Sequence, residues 1–193
     1  PHESDGRVVY AGTCRPSATP PFENPAEGER RGATRLYVPD REIVFDDRVY
    51  GRQSVNLAHH CGDFVLQRAD GAWAYQLAVV VDDALMGVTE VTRGCDLLLS
   101  SAQQIYLYGL LGYETPEFAH IPLVVNAEGR RLSKRDASLS MATLREKYSA
   151  EAIIGRAAAL LGLLPEATPV SAAELAGEFA WEKIPAVRAV TVG

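Results

Sequence analysis

Cysteine and methionine are scarce in this chain, basic charge is not in excess, and long apolar runs are missing. The 193 residues include only three cysteines, Cys14, Cys61 and Cys95. They are scattered and form no Cys-x-x-Cys pair. That excludes a disulfide framework and points to a reducing compartment, so a cytoplasmic location is expected. No apolar run approaches the roughly 20 residues needed to span a bilayer, so no membrane partner is expected. Lys and Arg number 19 against 25 Asp and Glu, for a net charge of −6 and a pI near 5.3. A protein that binds nucleic acid over its whole surface is thereby excluded, although local basic patches are not. There is no internal repeat, no low-complexity tract and no targeting peptide. The opening, Pro1 to Gly6, lacks a start methionine and reads as the interior of a longer chain. What is present is ordinary for a globular protein, with 47% hydrophobic and 23% charged residues. The length fits one good-sized domain or two small ones.

Four prolines between Pro16 and Pro25 exclude a helix there. Short strands are expected at Arg35–Val38 and Glu42–Phe45, with Pro39-Asp40 as the turn, and at Asp63–Arg68. Tyr75–Met86 reads as a helix with Leu77, Val80 or Val81, and Leu85 on its apolar face. The β-branched run Val79–Val81 keeps a strand in contention. Gly87 is a plausible helix stop. A strand at Val88–Thr92 follows, then a helix capped by Ser100 or Ser101 and ending before Gly112, then a strand at His120–Val125. From Ser138 the pattern is helical, with Ser149 as one cap and Ser171 to Glu174 as a capping box. Trp181 and Ile184 are expected to anchor the tail.

The order is therefore β-rich, then alternating strand and helix, then all-helical. Expected boundaries are 1–62, 63–127 and 128–193. The middle portion implies an open α/β sheet, in which ligands bind at loops beyond the carboxyl ends of strands. Arg93 and Lys134 fall at such places.

The stretch Arg130-Arg131-Leu132-Ser133-Lys134-Arg135 carries the clearest chemistry. Several cations beside a serine, on a loop after a strand, suit a polyphosphate and charge that moves during reaction. A solvated basic turn is the plain alternative for such a hexamer. Arg93 has its own plain alternative, a strand-end arginine paired with Glu90 or Asp96. Asp82 and Asp83, about 100° apart on a helix, do not form a matched acid–base pair.

Tyr75 to Asp83, Met86 to Gly94, His120 to Leu123 and Arg131 to Arg135, in this order and spacing, together resemble the glutamyl-type class I aminoacyl-tRNA synthetases. The likeness runs from about Tyr10 to Ile184. It implies the second half of a Rossmann-like catalytic domain, with a β-rich insertion remnant before it and a small helical region after it. It also implies ATP, accompanied by Mg2+, glutamate and tRNA as substrates. Arg131 to Arg135 matches the family's second signature loop, in which Lys134 stabilises charge on the ATP phosphates during attack by the carboxylate. Arg131, Leu132 and Ser133 belong to the same ATP-binding loop. Asp96, Leu123 and Val124 match contacts to the ribose and adenine. Arg93 matches the arginine that binds the glutamate side-chain carboxylate, and Tyr75 a tyrosine lining that pocket.

Val79, in the Tyr75–Asp83 motif, resembles the glutamyl-Q tRNA(Asp) branch of the family. That branch attaches glutamate to queuosine in tRNA(Asp) and lacks anticodon-binding domains. A canonical glutamyl-tRNA synthetase fragment and a non-catalytic module for tRNA or a partner are the alternatives. Tyr10 and Cys14 match half of the family's zinc site. The upstream Cys-x-Cys pair is absent, and a structural zinc needs four ligands, so zinc is not expected here. Cys61 and Cys95 read as ordinary buried cysteines. The family's first signature, a His-x-Gly-His loop, is also absent, and His59-His60-Cys61-Gly62 does not replace it. The 193 residues alone are expected to lack glutamate-dependent ATP–pyrophosphate exchange, with a missing N-terminal half as the natural partner.

Overall fold

The computed structural model describes residues 9, 10, 12, 15, 32–131 and 140–192. It is a mixed α/β structure. In chain order the elements are β1 (Thr34–Leu36), β2 (Glu42–Asp47), β3 (Gly51–Asn56), α1 (Leu57–His60), β4 (Phe64–Gln67), α2 (Tyr75–Met86) and β5 (Glu90–Gly94). A 3-10 turn at Cys95–Leu97 leads into α3 (Leu98–Leu111), followed by β6 (Glu117–Ile121) and β7 (Leu123–Val125). Then come α4 (Met141–Lys147), α5 (Ala150–Leu160), α6 (Ala172–Gly177) and β8 (Ala189–Thr191). Strand β6 lies between β2 and β5, and β3 flanks β2. The chain divides into two compact units. The first comprises Pro1–Asp46, Arg52–Val91 and Leu98–Glu117; the second comprises Asp47–Gly51, Thr92–Leu97 and Phe118–Gly193.

In the first unit, β1 runs antiparallel to β4, with Leu36 opposite Phe64. Val38, Val55, Leu57, Val80, Leu107 and Tyr108 lie at the centre of its core. The Val79–Val81 run is helical, not extended. Val80 is fully buried, and Gly87 ends α2 in the left-handed conformation at φ 70°. There the Gly87 and Val88 N–H groups donate to Ala84 and Asp83, capping carbonyls that the helix leaves over. Only part of the expected apolar face is inside: Leu85 is 74% exposed. A buried amide chain ties the start of α2 to α3. Gln76 donates to Gln103 at 2.9 Å, and Gln104 donates to Gln76 at 2.8 Å. Ser100 and Ser101 do not cap α3 but lie buried inside it, because the 3-10 turn already starts the helix.

In the second unit, Asp47 at the end of β2 stands opposite Phe118 of β6 in parallel register. The expected single strand from His120 to Val125 is two strands, split at Pro122. Proline has no N–H to give to a ladder, and β7 pairs in parallel with β8 instead, Leu123 opposite Ala189 and Val125 opposite Thr191. Tyr50 donates its hydroxyl to the Val187 carbonyl at 2.6 Å, and Cys95 its thiol to the Arg188 carbonyl at 3.1 Å, fixing the tail beside this pair. Ile184 is buried, as anticipated. The helices begin where serine can cap them. Ser140, Ser149 and Ser171 each accept a backbone N–H three residues on, and Ser171 with Glu174 completes a capping box.

Candidate functional site

The second unit gathers most of the described candidate residues around the end of β5. Arg93 is on β5 itself, which starts and ends two residues later than the alternation in sequence implied. Its Nε donates to His120 Nε2 at 3.0 Å, and its Nη2 makes a long contact of 3.4 Å to the Leu97 carbonyl. Its Cζ lies 5.3 Å from the centre of the Phe118 ring, within range of a cation–π attraction.

His120 and Asp47 are completely buried as side chains and meet at 2.6 Å, Nδ1 to Oδ2. An arginine Nε–H can only donate, so His120 Nε2 accepts, and the proton of this neutral ring sits on Nδ1, facing Asp47. Asp47 Oδ1 also accepts from the Val49 and Tyr50 N–H groups, at 3.0 and 2.9 Å. Burial works against its charge. The His120 hydrogen bond and the Tyr50 and Val49 N–H groups outweigh that, and hold the carboxyl below its ordinary pKa. Sequence reasoning missed both residues. His120 read as part of a strand and of a family motif, Asp47 carried no assigned role, and the 73 positions between them hide the contact.

Gly94, the 3-10 turn and β7 meet closely. A Cβ on Gly94 would come within 2.7 Å of Asp96 Oδ1 and 2.9 Å of Leu123 Cδ2, so one of these side-chain ends would have to shift. Two sequence candidates, Asp96 and Leu123, are thus packed on either side of one missing methyl. After β7 the chain turns tightly: Asn126 N–H donates to the Arg130 carbonyl, and its side chain accepts the Arg130 N–H at 2.8 Å. This returns Arg131 to bridge Val125, and the Arg131 guanidinium donates to Asp96 at 2.5 Å. Val124 is half-buried on β7.

The remaining candidates belong to the first unit or lie outside the described residues. Tyr75 belongs to the first unit, at the first position of α2, and is 55% exposed. Leu132, Ser133, Lys134 and Cys14 lie outside the described residues. Tyr10 stacks on the Arg35 guanidinium, 4.2 Å from the ring centre. Among the described residues no group of three or more His, Cys, Asp or Glu could hold a metal. Cys61 is half-buried and donates its thiol to the Leu57 and Gly62 carbonyls, while Cys95 is buried.

Residues 2–182 match the family model for the catalytic domain of class I tRNA synthetases (E and Q). The chain belongs to this family. A glutamyl-Q tRNA(Asp) synthetase of Nitratidesulfovibrio vulgaris is 41% identical over 192 residues, covering 99% of this chain and 59% of that protein. One from Burkholderia cenocepacia is 50% identical over 165 residues, covering 84% of this chain and 51% of that protein. The crystal structure of a glutamate-tRNA synthetase from Elizabethkingia anophelis superposes with a TM-score of 0.69 at 33% identity, covering 82% of this chain and 36% of that one. The chain thus spans about half the length of these curated relatives. Its fold is that of the synthetase catalytic domain, and Arg93, Asp96 and Leu123 lie at or beyond the end of one of its strands, where open α/β sheets bind ligands. Among the described residues, no helix is long and apolar enough to cross a membrane.

Proposed function

We propose that this protein activates glutamate with ATP and transfers it to tRNA, with the queuosine of tRNA(Asp) as acceptor, in the cytoplasm. The observation that carries the reading is Arg93, an arginine held by a neutral imidazole and joined to the 3-10 turn that bears Asp96. A guanidinium fork takes a carboxylate through two parallel hydrogen bonds and disfavours the neutral amide of glutamine. Arg93 therefore binds the glutamate side-chain carboxylate, and Tyr75 is assigned to glutamate binding by its match to the family motif. Asp96, Leu123 and Val124 receive the ribose and adenine of ATP. Arg131, Leu132 and Ser133 lead the phosphate loop, and Lys134 stabilises charge on the phosphates, with Mg2+ arriving on the ATP. The attacking carboxylate of glutamate is already ionised at neutral pH, so no general base is required.

The choice of acceptor is supported by the similar proteins, which are named glutamyl-Q tRNA(Asp) synthetases. Glutamate transfer to tRNA(Glu) is the second reading, favoured by the glutamate-tRNA synthetase structures that share this fold. The test is acylation by the full natural protein with ATP and labelled glutamate, on queuosine-containing tRNA(Asp) and on tRNA(Glu). Label on tRNA(Asp) alone is expected. Label on tRNA(Glu) alone would replace the first reading with the second, and label on neither would sink both.

A further inference from the structure

We propose that Gln76, gripped by Gln103 and Gln104, is a positioning residue that sets where Tyr75 stands for glutamate. This rests on the reading of Tyr75 given above. All four residues belong to the first unit. Tyr75 is the first residue of α2 and is exposed, so its own packing does little to place it. The backbone that carries it has to do so.

The entry to α2 is weak by itself. Ala74 takes the N-cap position, and its side chain has no acceptor for the first N–H groups of the helix. On one side the entry is pinned by backbone. Ala74 N–H donates to the Leu66 carbonyl at 2.8 Å, and Trp73 bridges Gln67. On the other side it is pinned by Gln76. The Gln76 Nε2 donates to Gln103 Oε1 at 2.9 Å, and its Oε1 accepts from Gln104 Nε2 at 2.8 Å. Tyr75 stands between the two pins, one residue from each.

The use of amides here points to placement more than to bulk stability. Gln103 and Gln104 are almost fully buried, and a buried amide gives up water for a modest net gain. Apolar side chains of similar size would hold the two helices together about as well. What the amides add is direction. Neighbouring residues leave a helix about 100° apart, so the two α3 side chains reach Gln76 from different sides. One accepts and the other donates, which fixes both ends of the Gln76 amide. A slide or a turn of α2 would break one bond or both and leave a buried polar group unpaired. An apolar contact would tolerate the same movement, because repacked cores lose rigidity before they lose stability.

The experiment uses the full natural protein and reads glutamate-dependent ATP–pyrophosphate exchange together with a melting curve. The decisive variant replaces all three amides, Gln76→Leu with Gln103→Leu and Gln104→Leu. It strands no amide, so it is expected to melt close to wild type. Its KM for glutamate is expected to rise about tenfold, with the KM for ATP within about twofold, since a misplacement of about 1 Å can cost about a hundredfold and a partial one less. Gln104→Leu, which removes one bond and keeps the other, is the milder variant and should raise the KM for glutamate about threefold. No rise there would count against the proposal even if the triple variant failed to fold. Tyr75→Ala is made alone and in combination with the triple variant. Alone it should raise the KM for glutamate by about tenfold or more, and the combination should add nothing, because the amides act through Tyr75. A triple variant with the wild-type KM for glutamate, both KM values raised alike, or effects that multiply in the combination would overturn the proposal. If Tyr75→Ala leaves the KM for glutamate unchanged, the reading of Tyr75 fails and the proposal with it; if it raises that KM and the triple variant does not, only the positioning role fails.

Discussion

Asp47 and Asp63 are both nearly sealed from solvent, at 3% and 4% exposure, one in each unit, and they serve different ends. Asp63 is met by a cation. Arg15 donates to it from Nε at 2.6 Å and Nη2 at 2.8 Å, a bidentate pair, and Val38 N–H adds a third bond at 3.0 Å. Arg35 donates to the Asp63 carbonyl at 2.8 Å. Its charge is answered on the spot, and the result is a clasp between segments 48 and 25 positions apart. Asp47 is met by backbone N–H groups and a neutral imidazole. The other nitrogen of that ring accepts from Arg93 Nε at 3.0 Å. A buried carboxylate paired with a cation fastens the chain. One paired with a histidine fixes which ring nitrogen carries the proton.

The sharpest way to break this comparison is to remove the arginine that the imidazole meets. Arg93→Ala should lower kcat/KM for glutamate by roughly a hundredfold while leaving thermal stability close to wild type, because losing a charge partner for a bound carboxylate has effects of this order. Steady-state exchange kinetics and a melting curve check it together. Asp63→Asn should do the reverse. It weakens the clasp and strains the hydrogen bond of the buried Val38 N–H, destabilising by roughly 1–3 kcal/mol in urea unfolding, with the KM for glutamate unchanged. If Asp63→Asn impaired glutamate binding and spared stability, the division of labour would be wrong.

Acid should find both aspartates. For Asp63 the Arg15 hydrogen bond is the main cause of a lowered pKa, opposed by burial and helped by Val38 N–H. For Asp47 burial opposes, and His120, Tyr50 and Val49 prevail. Since both native values lie below the unfolded ones, each group contributes stability that is full above the ordinary carboxylate range. That stability is lost as pH falls below about 4, through the depressed native values. Unfolding free energy measured against pH should therefore drop on the acid side, and the drop should be shallower in Asp63→Asn. The smallest effect is expected from the exposed contact of Arg131 with Asp96. Arg131→Ala should move the melting temperature by no more than about 2 °C, as for most surface ion pairs. It should raise the KM for ATP severalfold and leave that for glutamate alone.

Legibility in the sequence followed the range of each interaction. Helix α2 and its stop at Gly87 were legible, as were the serine caps of α5 and α6, because caps and periodicity act within a few residues. The family motifs marked Arg93, Asp96, Leu123 and Arg131, which the second unit gathers near one another. The split at Pro122 was missed because it depends on β8, whose partner residues lie far along the chain. The inner serines of α3 mimicked a cap that the 3-10 turn had already made unnecessary. Nothing local signalled that Asp47 and His120 meet. An aspartate two residues before a valine N–H announces a turn, but not a histidine 73 positions away.

The central claim is that Arg93 reads the glutamate carboxylate. The most direct measurement is pyrophosphate exchange supported by glutamate against that supported by glutamine, in the full natural protein and in its Arg93→Ala variant. A strong wild-type preference for glutamate that collapses in Arg93→Ala is the predicted result. A preference that survives loss of the arginine would contradict it.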